Sequence, residues 1–216
     1  MESPPLPLWR LTRARYDQIV DAGILGPDDH VELLDGLLVA REPQGERHTI
    51  VLALVRAALE RAFGRRYWIR EEKPVALDDL SAPEPDLVVV RGQPRDYLDR
   101  GHPSHPLLTV EVAMTSLALD RIRKGALYAR AGLEDYWVVN LKAEVLEVYR
   151  EPVRIGDDQW KYDSVRLLKR GAVATPLAAP RARIRVASLL PSLREGRPGK
   201  PGAPRVSRSE RERAQR

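Results

Sequence analysis

The sequence predicts an α/β fold in which a central mixed β-sheet is flanked by helices and preceded by an N-terminal helix and a β-hairpin. Three observations carry that expectation. Short β-branched apolar runs of strand length recur along the chain, among them Leu87–Val90, Leu107–Val112 and Tyr136–Val139. Two longer stretches, 46–63 and 116–132, carry apolar residues at helical spacing. A length of 216 residues, 43 % hydrophobic and 31 % charged, suits one domain with a substantial core better than two.

Taken in order, residues 1 to 8 are proline-rich and should lie over the surface. Leu11, Tyr16, Ile19 and Val20 give a short helix opened at Thr12 and ended by Gly23 and Gly26-Pro27. Two strand-like runs, Val31–Leu34 and Leu37–Val39, flank Asp35-Gly36, the strongest short hairpin signal available. Val51, Leu54, Val55, Ala58 and Ala62 repeat with helical period from Glu46 to Phe63, and Gly64 closes that helix. Tyr67–Glu71 is the next strand, with Glu71 expected to pair at the surface with Arg70 or Lys73, the alternative being that it reaches a metal.

Pro83–Val90 and Leu107–Val112 then pair most simply as an antiparallel hairpin across a loop from Arg91 to Pro106. His102 and His105 in that loop lack a third nitrogen or sulfur ligand, so they do not make a zinc site. In the following helix Leu119, Ile122, Ala126 and Ala129 form the apolar stripe, Thr115 or Ser116 caps the start, and Gly132 ends it. Asp120, Lys124 and Tyr128, four apart, line a different face. Strands follow at Asp135–Asn140, Val145–Tyr149, Trp160–Tyr162 and Ile184–Val186, with Tyr136 and Trp137 as core mass, and Leu189-Leu190-Pro191 ends the fold.

Composition excludes several classes of chemistry. The chain has no cysteine, so disulfides, thiolate metal sites and cysteine nucleophiles are absent together. With four histidines, oxygen ligands are the main metal option. No apolar run approaches membrane-spanning length and no signal segment opens the chain, so a cytoplasmic protein is expected. The net charge of +5 sits in residues 194–216, which hold eight Lys or Arg against three Glu; residues 1–193 hold 28 charges of each sign. A single domain over 1–193 and a disordered basic tail over 194–216 follow. The tail either holds nucleic acid through its phosphates or merely keeps the chain soluble.

The chemistry is expected where two buried strands each carry an acid. In the antiparallel pairing Asp86, near the start of the first, falls beside Glu111, near the end of the second. Like charges that close repel unless a proton or cation lies between them, and a hard divalent metal is the natural occupant. Lys124 comes from the next helix toward the same corner. Paired carboxylates and a lysine suit metal-assisted attack of water on a phosphodiester.

These residues, Pro85-Asp86, Glu111, Asp120, Lys124, Tyr128, Ala131-Gly132 and Tyr136-Trp137, resemble the PD-(D/E)XK nuclease superfamily and, within it, the Uma-type restriction-endonuclease family. The likeness spans roughly residues 10 to 190. It implies a restriction-endonuclease-like core and a Mg²⁺- or Mn²⁺-dependent endonuclease acting on nucleic acid, with DNA as the expected substrate and a homodimer by analogy. It also implies Asp86 and Glu111 as metal ligands and Lys124 as the catalytic lysine, with Asp120, His48 and Glu32 in support. The bland alternatives are a hairpin glutamate facing solvent for Glu32 and a local hydrogen-bonding group for His48. The superfamily's lysine stands two residues after the acid, where this chain has Ala113. The family often has polar residues at Ala113-Met114 and an aspartate at Asn140. Ala113-Met114 supports a second reading, a catalytically inactive relative kept as a binding or oligomerisation module.

Overall fold

The computed structural model describes residues 7–41 and 43–190; the expectation for the basic tail lies outside them. Helix α1 (Arg13–Asp21) starts at Thr12, whose side chain accepts from the Arg15 N–H. Strands β1 (Val31–Leu34) and β2 (Leu37–Ala40) form the expected hairpin, and both turn residues, Asp35 and Gly36, take positive φ. Helix α2 (Glu46–Phe63) has the predicted bounds and ends at Gly64, φ +67°.

Strands β3 (Tyr67–Glu71), β4 (Leu87–Arg91), β5 (Leu108–Ala113), β6 (Asp135–Asn140), β7 (Val145–Arg154) and β8 (Trp160–Lys169) make one six-stranded sheet in that order. Every neighbouring pair is antiparallel except β5 and β6, which are parallel. A parallel step needs a crossover, and α3 (Gly125–Arg130) with the turns before it supplies one. Two short strands, β9 (Val173–Ala174) and β10 (Ile184–Arg185), pair separately. Strands β7 and β8 run well past their predicted ends; their outer positions, such as Val165 and Leu167, are exposed and carry no apolar alternation that would announce a strand.

Side-chain alternation sorts the sheet into two faces. Leu87, Val89, Leu108, Val110, Val112, Trp137 and Val139 pack with Val51, Val55 and Leu59 of α2. Val88, Val90, Ala113, Tyr136, Val138 and Tyr149 pack with Leu127, Tyr128 and Ala129 of α3. Period two therefore places Glu111, between Val110 and Val112, on the α3 side. Among the described residues no helix is long and apolar enough to cross a membrane.

The crossover corrects one expectation. Leu119–Lys124 is wound as a π-helix, in which the Gly125 N–H reaches the Asp120 carbonyl five residues back. Ile122, predicted on the core stripe, is 70 % exposed, whereas Asp120, Lys124, Leu127, Tyr128 and Ala129 are buried. The wider turn rotates Ile122 outward, and the polar row turns inward because Glu111 waits there for partners. The Ser116 hydroxyl donates to the Asp120 carboxylate at 2.6 Å, whereas a cap would have it accept from a backbone N–H. Gly132 ends α3 as expected, with the Leu133 N–H returning to the Tyr128 carbonyl. Glu71 pairs with Arg56 at 2.8 Å, not with Arg70 or Lys73.

The β1–β2 turn gives a stability prediction. A Cβ on Gly36 would stand 2.6 Å from Arg10 Cβ in a backbone conformation with φ +77°. Gly36→Ala should cost about 1–3 kcal/mol and lower the melting temperature by several degrees in calorimetry. Gly171→Ala, with nothing within 4 Å, should stay within about 0.5 kcal/mol of the parent.

Candidate active site

The β4–β5 register pairs Leu87 with Val110, which sets Asp86 opposite Glu111 one residue further out. The Asp86 N–H points to Glu111 Oε2 at 3.4 Å, and Asp86 Oδ2 accepts from the Val112 N–H at 2.6 Å. His48 Nε2, from the first turn of α2, lies 3.2 Å from the same Oδ2. Lys124 Nζ sits 3.0 Å from Glu111 Oε1 and 3.0 Å from Glu32 Oε1. The Tyr128 hydroxyl donates to Glu111 Oε1 at 2.8 Å.

Six residues singled out in the sequence, Glu32, His48, Asp86, Glu111, Asp120 and Lys124, thus line one cavity of about 450 Å³. None is more than 8 % exposed. Glu32 and His48 face inward, which rules out the solvent-facing glutamate. Tyr128 was visible as the next member of the Asp120-Lys124 row, although nothing in the sequence showed that it would grip Glu111. Glu84 carries no comparable signal: its N–H donates to Glu32 Oε2 at 2.9 Å and its carboxylate pairs with Arg41 at 2.6 Å. His102 turns elsewhere, with Nδ1 3.2 Å from Arg70 Nη2.

Acid outnumbers base in this cavity, and the protonation equilibria record it. Burial alone would depress Lys124, but Glu111, Glu32, Asp120 and Asp86 outweigh it and hold the ammonium above its ordinary value. Burial raises Glu111 well above a normal carboxylate; Lys124 opposes the shift, and Asp120, Asp86 and Glu32 add to it. Asp120 is pushed up to about 6, chiefly by burial, against the pull of Lys124 and the Ser116 hydroxyl. Burial lowers His48, but the Asp86 hydrogen bond and charge win and raise it. Of the other charged residues lining the cavity, Arg41 is paired with Glu84 and Arg47 with Glu144. That leaves Lys124 and His48 against the carboxylates of Glu32, Asp86, Glu111 and Asp120, a cluster poised to take up a proton or a cation.

A hard divalent cation fits that donor set. Asp86 and Glu111 offer carboxylate oxygens on facing strands, and Mg²⁺ is ordinarily held by one or two carboxylates while keeping several waters. Among the described residues no three His, Cys, Asp or Glu side chains converge as a complete ligand cage. Ala113, at the position where a lysine follows the acid by two, is buried against the α3 side, so the amine comes from the π turn instead. Met114 lines the cavity as an apolar wall.

The turn that carries Lys124 is held from outside. Arg121 makes two bonds to the buried Glu147 of β7, Nε–Oε2 at 2.9 Å and Nη2–Oε1 at 2.6 Å. Asn140 Nδ2 and the Tyr149 hydroxyl donate to the same carboxylate, an arrangement in which an aspartate at 140 could not take part. The Tyr136 hydroxyl donates to the Asp120 carbonyl at 3.0 Å.

A sequence model of the family described as "Uma2: Putative restriction endonuclease" matches residues 14–187. A solved structure described as a "putative nuclease belonging to DUF820" from Anabaena variabilis ATCC 29413 superposes with a TM-score of 0.58 at 14 % identity. The match covers 78 % of this chain and 94 % of that one, a likeness of fold. No curated protein matches the chain.

Asp120 makes the acid excess measurable. Its carboxyl titrates near 6 in the fold against an ordinary 3.8, so the folded state holds the proton more tightly. The resulting stabilisation is complete below about pH 4 and is lost as pH rises through about 6, amounting to roughly 3 kcal/mol. Asp120→Asn should flatten the rise in melting temperature between pH ~7 and ~4, as read by circular dichroism.

Proposed function

The chain belongs to the Uma2 family, and from that premise we propose that it is a divalent-metal-dependent endonuclease hydrolysing phosphodiester bonds of DNA. One observation carries the reading: Asp86, Glu111 and Lys124, distant in sequence and each buried, meet at a single cavity with an excess of carboxylate. Asp86 and Glu111 would hold the cation, Mg²⁺ or Mn²⁺, and the chemistry it would supply when bound is polarisation of the phosphoryl oxygen and offset of the charge that develops on it.

The protein's own groups do the rest. The Lys124 ammonium donates to the substrate's phosphoryl oxygen or to the attacking water. Glu32 and Glu111 fix its position before substrate arrives, so little reorganisation accompanies the reaction. His48 steadies the Asp86 carboxylate, and Tyr128 steadies that of Glu111. Water adds to phosphorus, one P–O ester bond breaks, and the leaving oxygen takes up a proton. Asp120, with a proton affinity near neutrality, can carry such a proton at the cavity wall.

The alternative of an inactive binding module rests on Ala113-Met114, which puts apolar side chains where the family often has polar ones, and Met114 does line the cavity. Metal binding and cleavage decide between the two readings. Cleavage of DNA with Mg²⁺ should fall by on the order of 10² or more in Asp86→Ala and Glu111→Ala, and by about 10²–10³ in Lys124→Ala. Calorimetric titration with Mn²⁺ should lose its signal in the two acid variants and keep it in Lys124→Ala, where one competing cation is gone. Cleavage indifferent to Lys124→Ala would remove that residue from the mechanism. Manganese binding indifferent to Asp86→Ala would leave the reading without a metal site.

A further inference from the structure

A second feature lies at the other end of α2. Arg61 follows His48 by about three and a half helical turns, roughly 20 Å along the axis. There it joins Arg181, Arg183 and Arg185 in lining an open groove of about 530 Å³ whose remaining lining residues are Ala58, Ala62, Ala182, Ile184 and Ser188. Among the described residues no carboxylate lines this groove. Among the described residues none of the four arginines takes part in an ion pair, although Arg13, Arg41, Arg47, Arg56, Arg121, Arg130, Arg150 and Arg170 all do.

The segment into β10 is built to present them. From 181 to 186 the chain alternates, with Arg181, Arg183 and Arg185 exposed, while Ile184 and Val186 are buried against α2. Period-two alternation of arginine with apolar residues yields a comb of guanidinium groups on one face. Stabilising the C-terminal end of α2 would occupy Arg61 alone and accounts for none of the other three.

We propose that the arginine groove is a second nucleic-acid site, which grips the phosphate backbone away from the scissile bond. The inference rests on the reading of the chain as a protein that acts on nucleic acid. Guanidinium groups spaced along an extended strand suit successive phosphates and carry no base readout. A duplex reaching from the acidic cavity to the groove spans about six base pairs at 3.4 Å each. The groove therefore adds affinity for polymer, not for the reacting diester.

The test compares the full chain with the double variant Arg183→Gln/Arg185→Gln and with Arg61→Gln, each first shown by thermal melting to fold like the parent. Fluorescence anisotropy with a labelled duplex of about thirty base pairs, without divalent cation, should show affinity at ~50 mM salt weakened on the order of tenfold for each contact removed. The slope of log affinity on log salt should shrink by about 0.9 per contact. Hydrolysis of bis(p-nitrophenyl) phosphate should be unchanged in the variants, while KM for the long duplex rises. Asp86→Ala should leave the arginine-dependent binding intact, which separates the two readings: a parent that binds DNA through the groove yet cleaves neither substrate would sink the nuclease proposal alone. Duplex affinity and salt slope equal to the parent's in both arginine variants would overturn the second site. So would a groove that retains heparin but neither DNA nor RNA.

Discussion

Lys124 is the ammonium held among the buried carboxylates of Glu32, Asp86, Glu111 and Asp120, and much of the site is arranged around keeping it there. Burying an unpaired charge is costly, and removing one partner from a buried pair typically costs 3–5 kcal/mol. The protein accepts a second, opposite imbalance, more acid than one lysine can neutralise. Such a cluster is a poor way to stabilise a fold and a good way to hold a hard cation and a polarised phosphate. The elevated proton affinities of Glu111 and Asp120 express the same imbalance.

The turn that carries that lysine is held by residues that do not line the cavity. A π turn is a strained device that usually persists only where its surroundings fix it. Here Tyr136 occupies the Asp120 carbonyl from the sheet, and Arg121 is tied to Glu147 on β7, with Asn140 and Tyr149 completing the ring of donors. The cluster of Tyr128, Tyr136, Tyr149 and Tyr162 rings in mutual contact is therefore a support as well as core mass. Glu32 arrives separately, on the N-terminal hairpin, whose turn is fixed by the close approach of Arg10 to Gly36. The hairpin packs its Leu33 with Leu11, Tyr16 and Ala82, so α1 indirectly sets where Glu32 stands.

Helix α2 links the two charged regions. Its first turn presents His48 to the acidic cavity, and its last turns carry Arg61 at the arginine groove. The middle of the helix is anchored through Val51, Val55 and Leu59 to the sheet. A rigid rod between an acid-rich end and a base-rich end gives the neutral body a polarity that net charge conceals.

Much of this was legible in the residues. The Asp35-Gly36 hairpin, α2 with its glycine stop, the strands around Asp86 and Glu111, and the meeting of those acids all follow from local periodicity and turn chemistry. Those signals are short-range, and they act through steric limits on each peptide and the alternation of side chains. The row of Asp120, Lys124 and Tyr128 directed at the acidic corner was legible too. Tertiary packing alone decided the winding of the crossover, the exposure of Ile122, the grip of Tyr128 on Glu111, and the partners of Glu147. Each depends on which groups another element brings within hydrogen-bond reach. A buried carboxylate must be satisfied there, and that requirement outweighs the apolar stripe a lone helix would prefer.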